Sequence, residues 1–110
     1  MSVEAKQLGS GVSVITLSGR LTLGAETADL DAAVAGLLEK DEKKFVLDLT
    51  ALDYADSSGL GMLIACLTKV QKSGGELKVA GANARLKRIF SMTGVASLIP
   101  MFDSLADATA

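Results

Sequence analysis

Asp53-Tyr54-Ala55-Asp56-Ser57-Ser58-Gly59-Leu60-Gly61 gathers most of the chain's chemistry-bearing residue types into one short run. Ser57 and Ser58 supply hydroxyls, and Asp53 and Asp56 supply negative charge. A hydroxyl at the start of a helix lies among unpaired backbone N–H groups at the positive end of the helix dipole. An anion carried on Ser57 would therefore find donors at hand. Gly59 and Gly61 carry no side chains to obstruct another protein's active site. The same residues also have a purely structural use. Asp56, Ser57 and Ser58 are all favoured N-cap residues, and two glycines allow a helix to pack close against a sheet. Spacing alone leaves both uses open. A nucleophilic serine is a poorer match, because G-x-S-x-G is missing and the chain has no histidine to act as base. A phosphate-cradling loop is poor as well, since no lysine follows the glycines as it does in a P-loop.

Such a run needs a strand to deliver it and a helix to receive it. Phe45-Val46-Leu47-Asp48-Leu49 is short and nearly all apolar, the pattern of a strand covered on both faces. Leu60, Leu63, Ile64, Leu67 and Val70 mark an amphipathic helix that stops at Ser73-Gly74-Gly75. Residues 53–61 thus read as a loop after the carboxyl end of a strand, where open α/β sheets build their sites. Upstream, Val12–Leu17 reads as a strand closed by Gly19, in a hairpin with Val3–Leu8 across Gly9-Ser10-Gly11. Leu30, Val34, Leu37 and Leu38 define a helix face with Asp31, Glu39 and Lys40 away from it, and Asp41-Glu42-Lys43-Lys44 is a charged turn. Downstream, Leu77 and Val79 alternate with Glu76 and Lys78 as a strand. Leu86, Ile89 and Phe90 mark a third helix halted near Gly94. A last strand around Leu98–Ile99 is expected to end at Pro100, with Asp103-Ser104 capping a short terminal helix. The order ββαβαβαβα predicts a single α/β domain over residues 1–110, with a mixed four- to five-stranded sheet and about four helices. Phe45–Leu49 should be central, with Leu63, Ile64 and Leu67 packed on it.

Composition narrows the chemistry further. The chain has 110 residues, 49% of them hydrophobic, which supports one core without disulfides or a metal. With no histidine, Ser-His-Asp and Cys-His catalysis and His-ligated metals are excluded. The single cysteine can form neither an internal disulfide nor a thiolate cage, and no cofactor is expected. A net charge of −2 without any basic stretch argues against a nucleic-acid surface. Met1–Lys6 lacks the apolar stretch of a signal peptide, and no run approaches the roughly 18 apolar residues of a membrane span. Cytoplasmic residence without a membrane span is the expectation. Cys66 should be a buried small hydrophobe, and Met62, Met92 and Met101 packing residues. Arg85, Lys87 and Arg88 make the third helix basic, as a solvated face or a partner surface. Tyr54 could prop the loop or touch a partner.

Asp56-Ser57-Ser58-Gly59-Leu60-Gly61, arriving after Val46-Leu47-Asp48-Leu49, resembles the signature of the STAS-domain anti-sigma-factor antagonists. Leu17-Ser18-Gly19-Arg20-Leu21 resembles that family's second strand and the loop after it. Gly74-Gly75-Glu76-Leu77-Lys78-Val79 resembles the turn into its fourth strand, and Leu86–Gly94 its third helix. The resemblance spans nearly the whole chain. It implies a binding module that is switched by phosphorylation of Ser57 and has no catalytic activity of its own. It also implies a partner surface of Thr22, Asp56, Ser57, Ser58, Gly59 and Gly61. The implied partners are an anti-sigma factor that is also a serine kinase and a PP2C-type phosphatase that resets the switch. Sigma-factor-dependent transcription would then be regulated by partner exchange. Many antagonists of the family carry Asp in the loop after the second strand, where this chain has Leu21-Thr22-Leu23-Gly24. Thr22 can hydrogen-bond but brings no charge. The alternative is a scaffold-type STAS protein, in a stress-signalling or transporter-associated assembly, that binds without a kinase cycle.

Overall fold

Gly11 sets the first turn. In the computed structural model, which describes residues 2–8, 11–22 and 25–109, Gly11 adopts φ 84°. The Leu8 N–H donates to the Val12 carbonyl at 2.8 Å, and the Gly11 N–H donates to the Leu8 carbonyl at 3.1 Å. A left-handed glycine closing a three-residue hairpin loop makes this pair of bonds. Gly9 and Ser10 of the expected turn lie outside the described residues. The hairpin joins β1 (Ser2–Gln7) to β2 (Val12–Leu21), antiparallel, with Val3 opposite Leu17 and Lys6 opposite Val14.

From β2 onward, every sheet neighbour is parallel. Helix α1 (Ala25–Glu39) leads to β3 (Lys44–Ala55), α2 (Ser57–Lys72) to β4 (Glu76–Ala80), and α3 (Ala84–Thr93) to β5 (Met101–Phe102). A 3₁₀ turn at Val95–Ser97 follows α3, and α4 (Leu105–Thr109) follows β5. The sheet order is β1-β2-β3-β4-β5, so β3 is central as expected. Each parallel connection steps in the same direction across the sheet, and such crossovers are right-handed, so α1, α2 and α3 fall on one face. There Leu30, Val34 and Leu37 of α1, Leu63, Cys66, Leu67 and Val70 of α2, and Leu86 and Phe90 of α3 share one core. Ile15, Leu17, Phe45, Leu47, Leu49, Leu77 and Val79 of the sheet complete it. The opposite face holds a smaller cluster, in which Val14, Val46 and Ala80 meet Ala108 of α4, with Phe102 and Leu105 beside them. Ile64, expected on the sheet, is instead 36% exposed. The helix turns Leu60, Leu63, Leu67 and Val70 inward, and Ile64 falls on the flank of that stripe.

Three boundaries differ from the sequence reading. Gly19 does not close β2. It takes φ 87° inside the strand, between register shifts at Thr16/Ser18 and Gly19/Arg20, and β2 runs on to Leu21. β3 likewise extends past Leu49 to Ala55, with Leu52 and Ala55 buried. The bulges change the burial period from two to three, so alternation fails as a signal there. The third difference is β5, which follows Pro100 instead of preceding it. The Leu98 and Ile99 N–H groups both donate to the Val95 carbonyl, at 2.9 and 3.2 Å, and so cannot join a ladder. Pro100 brings no N–H, but its carbonyl accepts from Val79 at 2.9 Å and starts the β4–β5 pairing.

Candidate functional site

Because β3 runs to Ala55 and α2 begins at Ser57, the loop between them shrinks to Asp56. Asp53 and Tyr54 belong to the strand. Asp56 is extended, with φ −88° and ψ −176°, and its Oδ1 accepts from the Gly59 N–H at 2.8 Å. Its carbonyl accepts from the Leu60 N–H at 2.9 Å. It is therefore the N-cap, and Ser57 and Ser58 are the first two residues of the helix. Among the described residues no hydrogen bond takes the Ser57 or Ser58 amide, which leaves two of the helix's orphan donors at this end. Ser57 is exposed, Ser58 half-buried.

The end of β2 completes the site. Leu21 is in register with Ala55, and its carbonyl accepts from the Asp56 N–H at 3.2 Å. Thr22, half-buried, follows directly and so adjoins the first turn of α2. Leu23 and Gly24 lie outside the described residues. Gly59 is buried, and a methyl group there would lie 2.2 Å from the Leu21 carbonyl oxygen. Its missing side chain is used by β2 inside the fold. Gly61, one turn on, is exposed and has nothing within 4 Å of a would-be Cβ. The structure thus brings Thr22, Asp56, Ser57 and Ser58 to one end of the sheet, with Gly59 beneath them and Gly61 on the outer face of α2.

Sequence reasoning missed the flank of this site. Arg20 lies over the Tyr54 ring, 5.2 Å from its centroid, so Tyr54 packs against a neighbouring strand's cation. A shallow depression bounded by Arg20, Asp53, Tyr54, Asn83 and Arg85 opens beside it. Asn83 ties this side together. Its Oδ1 accepts from the Leu86 N–H at 2.8 Å to cap α3, and its Nδ2 donates to the Leu52 carbonyl at 3.2 Å. Asn83, three residues before Leu86, was an overlooked N-cap signal; the tie to β3 had no signal, because β3 reads as ending before Leu52.

The arrangement offers an exposed hydroxyl on a helix N-terminus at an open surface. The strand order runs from β1 to β5 without reversal, so the sheet has no switch point at which connections diverge to open a ligand crevice. Among the described residues no group of His, Cys, Asp or Glu could hold a metal ion, and no helix is long and apolar enough to cross a membrane. Cys66 is buried, and burial pushes its thiol up to about 11.

A model of the STAS domain matches residues 3–108. The anti-sigma F factor antagonist of Paenibacillus polymyxa is 30% identical over 101 residues, which are 89% of this chain and 84% of that protein. An anti-sigma factor antagonist from Mycobacterium paratuberculosis has a crystal structure similar to this one, with a TM-score of 0.82 and 28% identity over 98% of this chain and 90% of that one. The Bacillus cell fate determinant SpoIIAA in its phosphorylated form shares the fold, with a TM-score of 0.76 at 16% identity over 98% of this chain and 96% of that one.

Proposed function

This chain belongs to the STAS domain family, and on that premise we propose that it is an anti-sigma-factor antagonist that works by partner exchange. Unphosphorylated, it binds an anti-sigma factor and so frees a sigma factor in the cytoplasm. The anti-sigma factor is itself a serine kinase, transfers phosphate from ATP to Ser57 and then releases the protein. A PP2C-type phosphatase returns it to the binding form. The protein is substrate and binder, the whole of residues 1–110 acting as one domain. Thr22, Asp56, Ser58 and Gly61 surround Ser57 on the contact surface, and Gly59 holds that surface to β2.

The observation that carries this reading is the exposed Ser57 at the first position of α2, with its own amide and that of Ser58 untaken. Phosphate there gains from the dipole and the free donors, so the fold tolerates it. The same phosphate adds about −1.5 to −2 charges beside Asp56. Facing a partner carboxylate about 6 Å away, at an effective dielectric near 20, it costs on the order of 4 kcal/mol. That weakens binding roughly a thousandfold. The uncharged Thr22, where many antagonists carry a carboxylate, favours the second reading, a scaffold-type STAS protein without a kinase cycle.

The test is to recover the anti-sigma partner from cell extract, add ATP and map phosphoserine by mass spectrometry. Ser57→Ala should bind and never be released; Ser57→Asp, with one charge in place of the phosphate's two, should bind roughly a hundredfold more weakly. Ser58→Ala should still accept phosphate. A partner that binds without phosphorylating Ser57 supports the scaffold reading, and undiminished binding by the phosphorylated protein overturns the switch.

A further inference from the structure

The sheet has two edges, and they are unlike. β5 is two residues long and enters from Pro100. β1 is six residues long, pairs with β2 alone, and contains no proline or glycine. Glu4, Ala5, Lys6 and Gln7 are all exposed on it. Natural edges are ordinarily shortened, bulged or covered against pairing. Among the described residues, and apart from its charges, β1 carries none of these protections.

The hydrogen-bond phase of β1 follows from the hairpin turn. The Leu8 N–H points to β2, where it meets the Val12 carbonyl. In an antiparallel ladder the bonded positions alternate, so Lys6 and Glu4 also turn their backbone groups toward Val14 and Thr16. Val3, Ala5 and Gln7 therefore turn their N–H and C=O groups outward. Side chains alternate too. Val3 packs against the main core, which puts Glu4 and Lys6 together on the opposite face.

We propose that this edge pairs with a second copy of the same chain, antiparallel, about a two-fold axis through Ala5. In that register Ala5 meets its own copy and Val3 meets Gln7 of the second copy, so each outward backbone group finds a partner. Glu4 then stands opposite Lys6 of the second copy, and Lys6 opposite Glu4. These are the closer, non-bonded cross-strand positions, where opposite charges attract and like charges repel. Centring the axis on Glu4 or on Lys6 keeps the backbone phase but sets like charges against each other. The charge order thus selects one register and makes the edge self-complementary, as a two-fold contact requires. So short a strand buries less than a standard interface of about 1,600 Å², and the dimer is a weak one. Ser57 follows β3, which β2 separates from β1 in the sheet, so the pairing edge and the Ser57 surface are on different strands.

Sedimentation of the full chain over a concentration series at low salt tests this. Reversible dimerisation is expected, weakening as salt is raised. Lys6→Glu alone, or Glu4→Lys alone, should weaken self-association by roughly tenfold. The double exchange, Glu4→Lys with Lys6→Glu, should restore it. A mixture of the two single variants should form a heterodimer that neither forms alone. Ala5→Pro removes only an outward N–H and should abolish pairing, with thermal melts confirming that every variant is folded. A chain that stays monomeric throughout, or a dimer indifferent to the charge exchange, would overturn the proposal.

Discussion

A methyl group at Gly59 would strike the Leu21 carbonyl, whereas one at Gly61 would meet nothing. Gly59→Ala should therefore cost about 2 kcal/mol through overpacking, while Gly61→Ala, in an exposed helix interior, should stabilise by about 0.5–1 kcal/mol. Urea denaturation of both variants checks this, and a Gly59→Ala protein as stable as the parent would contradict the close packing. The two glycines look alike in sequence because the difference lies in β2, a strand distant along the chain. Cys66 was legible, since its spacing from Leu63 places it on the inner face of α2. Burial is the main cause of its raised pKa, with the Asp31 carboxylate adding and the Lys69 ammonium opposing. The folded state holds the thiol proton more tightly than the unfolded state does. That contribution is whole below the ordinary value of 9.0 and is lost as the pH climbs to about 11. Between those values Cys66→Ala should lose less stability than the parent, measured by urea midpoints at a series of pH values.

At the scale of elements, the first turns of α2 and α3 are built alike. Asp56 and Asn83 are both extended, and each accepts from the amide three residues on, at 2.8 Å. Asp56→Ala should cost about 1 kcal/mol. Asn83 does a second task through its amide donor, so Asn83→Asp and Asn83→Ala should differ. The carboxylate keeps the cap, and both variants lose the bond to the Leu52 carbonyl. Chemical denaturation should therefore rank the parent above Asn83→Asp and Asn83→Ala last. The helices were legible from apolar spacing and from glycine stops such as Gly94, which takes φ 82° after α3. The end of β3 was not, because its burial falls at Leu49, Leu52 and Ala55 once the extra residues bulged in β3 shift its register against β2. A three-residue period in a strand resembles a helix or a loop. The run 53–56 was thus read as the site's loop, when nearly all of it is the strand that carries the site. The helix start at Ser57 was legible, as the capping run around it is local and depends on no distant partner.

For the whole molecule, stability and the candidate switch are held in different places. The main core lies between the sheet and α1, α2 and α3, while Ser57 is exposed at one end. Ser57→Asp should leave the melting temperature within about 2 °C of the parent, although binding falls steeply. A melt lowered by 10 °C would mean that charge at this position breaks the fold itself. Truncation before α4 should do the reverse, uncovering Val14, Val46 and Ala80 and costing about 2–3 kcal/mol, with the Ser57 surface unchanged. The unreversed strand order has a consequence for how the molecule is made. Each strand's sheet neighbour on one side is the strand just before it in the chain. On the ribosome, then, every strand after β1 emerges to find one sheet neighbour already synthesised ahead of it. The far edge of each of β2, β3 and β4 is then closed by the strand translated next.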